Sequence, residues 1–144
     1  MSLFALLSVS ESGMSAQRAR AELLVENLAN AETTRTPEGG PYRRKDAIFE
    51  TAPADAPFSS VFEAQLGRPE GVRVSQVVVD DSEPERRCMP GHPDADKDGY
   101  VAFPRTNPAE DMVDLMGASR GFEANVSAIS AVKDMIQRSI DLLR

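Results

Sequence analysis

The sequence is poor in the side chains that build catalytic and metal sites. Its 144 residues include one cysteine, one histidine and no tryptophan. Cys88 alone cannot form an internal disulfide bond, and with His92 as the only histidine the two cannot build a zinc site. No phosphate-binding loop and no nucleophile beside a base is recognisable. We therefore expect no catalytic residue, no cofactor, no metal ion and no small-molecule ligand, and we expect that the chain is not an enzyme.

Positive charge and long apolar runs are scarce as well. Lys and Arg number 16 against 23 Asp and Glu, a net charge of −7, which argues against nucleic acid or an anionic membrane surface as a partner. No apolar run is long enough for a transmembrane segment. The apolar stretch 1–7 has no basic flank, so we expect that it is not a cleaved secretory signal.

Proline is absent from both ends of the chain. All ten prolines lie between Pro37 and Pro108. This distribution predicts two long terminal helices, in residues 1–31 and 107–144, around a Pro/Gly-rich middle, residues 32–106. The middle contains three predicted strands, residues 42–50, 72–80 and 100–103, and a mobile loop near residues 51–71. The predicted fold class is mainly α with a small β module.

The last helix has the clearest pattern. Asn107 is a capping residue, and Pro108 fits the first helical position. Steps of three and four residues from there give a mostly apolar seam of the kind that packs on another helix. The seam comprises Met112, Leu115, Ser119, Phe122, Val126, Ile129, Lys133, Ile136, Ile140 and Leu143. A helix of this length, roughly 54 Å, extends beyond what the rest of the chain could cover, so we expect that it needs partners.

The first helix carries a similar row. Leu7, Met14, Ala21 and Leu28 are spaced by seven, and Leu24 lies on the adjoining row. Ser8 and Glu11 have capping-box spacing, which predicts a regular helix from about residue 8 and a separate apolar hook before it. In the middle, alternation places Val72, Val74 and Val78 on one face of a strand, and Val77 and Val79 on the other.

One motif suggests calcium. Asp94, Asp96, Asp98 and Gly99 match the first half of an EF-hand loop, but Arg105 stands where that loop needs a bidentate carboxylate. We interpret the motif as a polar turn that leads into the strand at Tyr100. A calcium-responsive binding protein remains an alternative, as does a free-standing coiled-coil adaptor or regulator.

Two groups of residues resemble a known family. Residues 12–17, SGMSAQ, and 27–33, NLANAET, resemble the amino-terminal signature of bacterial flagellar rod, hook and related axial proteins. The narrower resemblance, to rod proteins of the flagellar basal body, rests on residues 1–4, 40–44, 90–96, 99–101 and 118–126. The signature positions are Gly13, Asn27, Leu28, Ala29, Asn30 and Thr33.

The resemblance implies a structural subunit of the proximal rod, the tubular drive shaft that transmits motor torque. It implies that the terminal helices pack as an antiparallel coiled coil in an inner domain and that the middle forms an outer module. It also implies export through the flagellar type III channel into the periplasm. The implied partners are other copies of the chain, neighbouring rod proteins, the adaptor at the rod base, and the export gate or membrane ring. The assembly seam would consist of the apolar residues of both helices, namely Leu7, Met14, Leu24, Leu28, Met112, Leu115, Phe122, Val126, Ile129, Ile136, Ile140 and Leu143.

Overall fold

The structure is a computed structural model that describes residues 3–52 and 71–142. Two helices precede and follow two small antiparallel sheets in the chain, and roughly half of the chain is helical, which confirms the predicted helices and small β module. The elements are α1 (Leu3–Ala29), β1 (Lys45–Ala52), β2 (Gly71–Val79), β3 (Glu85–Cys88), β4 (Tyr100–Phe103) and α2 (Pro108–Asp141). The loop predicted near residues 51–71 lies almost entirely outside the described residues. No helix in the described part of the chain is both long and apolar enough to cross a membrane.

The two helices lie side by side and run in opposite directions. Gly13 of α1 faces Asn125 of α2, Gln17 faces Gly121, and Arg20 forms an ion pair with Asp114 (3.5 Å). The residue number therefore rises along one helix as it falls along the other, which defines an antiparallel pair. Helix α1 is already regular at Leu3, so the predicted start near residue 8 is wrong.

Helix α2 begins where its sequence predicts. The Asn107 side chain accepts a hydrogen bond from the Ala109 amide (3.2 Å), which satisfies one of the unpaired donors at the helix start. Pro108 occupies the first turn, and Glu110 and Asp111 add negative charge near the positive end of the helix dipole. The helix ends at Asp141, with the Leu142 amide donating to the Arg138 carbonyl (3.1 Å).

Strands β1 and β2 form a hairpin that packs along α1. Lys45 pairs with Val79 at one end and Ala52 with Gly71 at the other, and the register shifts between Ile48 and Phe49. The extra residue of this bulge, Ser75, donates its hydroxyl to the Ile48 carbonyl (3.3 Å). Because the bulge interrupts the alternation, the pairing puts four valines on one face and Val78 on the other, so the predicted division is wrong. The four are Val72, Val74, Val77 and Val79.

Strands β3 and β4 form the second sheet, and β3 has no counterpart among the predicted strands. Its four residues, Glu85–Cys88, are all exposed and mostly charged, so they show no apolar alternation. Strand β4 instead supplies Val101 and Phe103 to the core. The buried apolar residues are few and mostly small: Ala16, Leu24, Tyr42, Val101, Phe103, Ala118 and Val132.

Candidate functional site

The predicted seam of α2 lies only partly against α1. Leu115, Ile129 and Ile136 are half-buried. The fully buried residues of this helix lie in a different row, one residue before Met112 and Val126. That row, spaced by seven, consists of Asp111, Ala118, Asn125 and Val132, of which Asn125 is half-buried. Helix α2 is therefore rotated about its axis relative to the prediction, and its most buried face is this row of small and partly polar residues.

This rotation leaves the predicted seam exposed on one side. Met112, Val126 and Ile140 are 52%, 42% and 50% exposed, and Phe122 at the border of the row is 39% exposed. Leu143 lies outside the described residues. The corresponding row of α1, with Leu7, Met14, Ala21 and Leu28, is half-buried, while Leu24 is fully buried.

The two rows flank the same side of the helix pair. Each row follows, by one residue, positions at which its helix contacts the other helix. These contact positions include Gly13 and Arg20 on α1, and Gly121 and Asn125 on α2. In an antiparallel helix pair, the residues that follow the contact positions on the two helices lie on the same side of the pair. We call this surface the apolar strip, and its residues are Leu7, Met14, Ala21, Leu28, Met112, Phe122, Val126 and Ile140.

The signature residue Asn27 connects α1 to the hairpin. Its side chain is fully buried and makes three hydrogen bonds, each 2.9 Å long. The Oδ1 atom accepts from the Tyr42 hydroxyl and from the Lys45 amide, and the Nδ2 atom donates to the Lys45 carbonyl. Burial, together with the charges of Glu26 and Asp111, raises the pKa of Tyr42 to about 12. Asn27 thus fixes the first residue of β1 to the last turns of α1.

The remaining signature residues close the end of α1. Asn30 donates to the Glu26 carbonyl (2.9 Å) and accepts from the Thr33 hydroxyl (3.1 Å). The Thr33 carbonyl then accepts from the Tyr42 amide (3.0 Å), which turns the chain back towards β1. Leu28 is half-buried, and Ala29 is exposed as the last residue of the helix. The signature is therefore a folding junction, apart from Gly13, which lies against α2.

The turn at Asp94 uses its carboxylates within the fold. Asp94 accepts from the Thr34 hydroxyl (2.8 Å) and lies 3.7 Å from the Arg35 guanidinium. The Asp96 side chain accepts from the amides of Asp98 and Tyr100 (2.9 and 2.8 Å). These bonds support the interpretation as a structural turn, and the expected absence of calcium binding stays a prediction. Over residues 3–52 and 71–142, no group of three or more His, Cys, Asp or Glu side chains is placed to hold a metal ion.

A buried carboxylate sits in the first turn of α2. Asp111 is 1% exposed, neither of its oxygens makes a hydrogen bond with the residues that the structure describes, and the Arg44 guanidinium lies 3.2 Å from Oδ1. Burial is the largest influence and raises the pKa of Asp111, Arg44 opposes this, and the nearby Asp46 and Asp114 add to it. The sequence predictions missed Asp111, although its spacing of seven from Ala118 and fourteen from Asn125 was visible in the sequence.

Comparisons with known proteins agree with the architecture. The family model described as flagellar basal body rod FlgEFG protein, C-terminal, matches residues 97–142, which contain β4 and α2. The chain is 38% identical to the flagellar basal-body rod protein FlgC of Borreliella burgdorferi, over all of this chain and 99% of the relative. It is 37% identical to FlgC of Bacillus subtilis, over 99% of both chains, and 31% identical to FlgC of Salmonella typhimurium, over 99% and 98%.

Proposed function

The chain belongs to the family of the flagellar basal-body rod protein FlgC, and from this membership we propose that it enters the rod through its apolar strip. It is a structural subunit of the flagellar basal-body rod and not an enzyme. In our proposal the rod is the proximal rod, the strip is covered by neighbouring subunits, and the assembled tube transmits torque.

The exposure of the strip is the observation that supports this proposal. Met112, Val126 and Ile140 keep about half of their surface exposed, although they lie on the helix that pairs with α1. Fully burying one side chain of this size is worth about 1.5–3 kcal/mol, so covering the whole strip would contribute strongly to subunit association. Exposed apolar side chains concentrated on one side of a folded chain often mark sites of protein–protein contact.

Helical assembly would repeat this contact in every subunit. A contact between two different patches of identical subunits builds an open helical filament or tube when its rotation does not close into a ring. We propose other copies of the chain and neighbouring rod proteins as the partners at the strip. The rod-base adaptor and the export gate or membrane ring are proposed as partners at the base of the periplasmic rod.

We further propose that the chain has an inner and an outer part. Residues 1–31 and 107–144 would form the inner part, in which the antiparallel helices pack as a coiled coil. Residues 32–106 would form the outer module. The antiparallel contacts between α1 and α2 support the first assignment. The hydrogen bonds between the Asn27 side chain and the backbone of β1 attach the outer module to α1.

Substitutions on neighbouring residues test the strip. Val126→Asp places a carboxylate in the proposed interface, which costs several kcal/mol in every copy. Ser127→Asp adds the same charge to an exposed position that faces away from both α1 and the strip. In cells that lack the native chain, we expect Val126→Asp to prevent rod formation and swimming, and Ser127→Asp to permit both.

The purified variants control for folding. Because Val126 is 42% exposed in the isolated chain, both variants should unfold at similar urea concentrations. Electron microscopy of basal bodies and a swimming assay complete the comparison. Normal rods built from the Val126→Asp chain would contradict the proposal.

A further inference from the structure

The middle of the helix pair contains a reciprocal arrangement of glycines and amides. Each helix contributes one glycine and one amide four residues apart, Gly13 and Gln17 on α1, and Gly121 and Asn125 on α2. A Cβ atom on Gly13 would lie 2.9 Å from Oδ1 and 3.2 Å from Cγ of Asn125. A Cβ atom on Gly121 would lie 3.1 Å from Cδ and 3.3 Å from Cγ of Gln17. Each amide side chain therefore occupies the space that the opposite glycine leaves open.

The amide of Asn125 is held in this position. Its Nδ2 atom donates to the Gly121 carbonyl of the same helix (2.8 Å), so the side chain cannot give way without losing that bond. The Oε1 atom of Gln17 is buried and makes no hydrogen bond within residues 3–52 and 71–142. Polar groups in a helix interface reduce stability but favour the one register that accommodates them.

We propose that these four residues, which we call the amide–glycine lock, determine the register of α1 against α2. If α2 slides by one heptad, Asn125 faces Leu6 or Arg20 instead of Gly13. Each of these residues has a side chain in the space that the amide needs. The apolar contacts discriminate less, because a heptad shift replaces one small or apolar residue by another. Gly13 is the only glycine in α1, so one register alone offers Asn125 a glycine.

The consequence for assembly rests on the proposed function. A heptad shift moves one helix by roughly 10 Å along the other, at about 1.5 Å per residue. The α1 row of the apolar strip would then no longer lie beside the same residues of the α2 row. A tube needs an identical strip in every copy, so a register set within the chain ensures that all copies can fit together.

An exchange of the two side chains tests the lock. Gly13→Asn alone places two amides in one space, and we expect the unfolding equilibrium constant of the purified chain to rise at least tenfold. The double variant Gly13→Asn with Asn125→Gly exchanges amide and glycine between the helices and should recover most of this loss. Gly117→Asn is the matched control, because beyond its own turn of helix no atom of the described residues lies within 4 Å of a Cβ at that glycine, and it should not destabilise the chain.

A cross-link reads the register directly. The side chains of Arg20 and Asp114 meet in the observed register. In a Cys88→Ser background, Arg20→Cys and Asp114→Cys place two thiols there, and a short bismaleimide bridges them. The bridge should form in the exchanged double variant and decrease in Gly13→Asn. If Gly13→Asn is as stable and as readily bridged as Gly117→Asn, or if the exchange recovers nothing, the lock is refuted. Swimming is measured separately, so a failure of the strip is distinguished from a failure of the lock.

Discussion

Replacing Asn27 by alanine should separate the hairpin from α1. The substitution removes three hydrogen bonds and leaves the buried Tyr42 hydroxyl and the partly buried Lys45 amide and carbonyl without their partner. Each stranded buried group costs about 1–3 kcal/mol, so we expect Asn27→Ala to lower the free energy of unfolding by about 3–5 kcal/mol. That is a large part of the ~5–15 kcal/mol of a typical domain.

Urea unfolding of the purified chain measures this loss, and amide hydrogen exchange locates it. We expect the Lys45 amide to exchange much faster in Asn27→Ala than in the native chain, because its acceptor is gone. Asn30→Ala is the control. It removes an amide of the same size that bonds only to Glu26 and Thr33 at the helix end, so it should cost about 1 kcal/mol. Equal losses for the two variants, or a loss below about 1 kcal/mol for Asn27→Ala, would refute the reasoning.

Two pH-dependent predictions follow from the buried titratable groups. Burial raises the pKa of Asp111 above its ordinary value of 3.8. The stability that the protonated carboxyl contributes is therefore complete below pH 3.8 and is lost as the pH rises through the pKa of the folded chain. Asp111→Asn should therefore stabilise the chain at pH 7, and Arg44 still has Asp46 as an ion-pair partner in this variant. Urea unfolding should show that the gain in the free energy of unfolding becomes smaller as the pH falls. The raised pKa of Tyr42 means that its contribution is complete below pH 10 and is lost as the pH rises through about 12. An absorbance titration should show a late-titrating phenol that Tyr42→Phe removes, and an unchanged titration would contradict the burial of this hydroxyl.

The terminal helices were predictable because local signals determine them. Asn107 and Pro108 specify the start of α2, and the absence of proline lets both helices run on. Strands β1 and β2 were predicted in outline but not their pairing, and the bulge at Ser75, which changes which valines share a face, has no signature in a single sequence. Strand β3 was missed because its residues are exposed and charged, and pairing with β4 alone holds it in place.

The orientation of α2 could not be predicted from apolar spacing. Counting apolar residues favours the row of Met112 and Val126, whereas the structure buries the row of Asp111 and Asn125. Specific pairs across the chain explain the difference: Arg44 approaches Asp111, and Gly13 provides the space for Asn125. Such pairs join residues that are far apart in the sequence, so no periodicity within one helix shows them. The role of the predicted seam in assembly therefore remains a proposal.

The distribution of polar and apolar residues in the described chain itself argues for a subunit of a larger assembly. A self-sufficient domain buries its large apolar side chains and exposes its amides and carboxylates. Here Asn27 and Asp111 are fully buried between elements of one chain, while Met112 and Val126 remain exposed on a helix surface. Buried polar contacts define geometry well but contribute little net stability, and apolar contacts contribute stability with less geometric selectivity. The chain thus uses its polar groups to set its own shape, and we propose that the apolar strip stabilises contacts with other subunits.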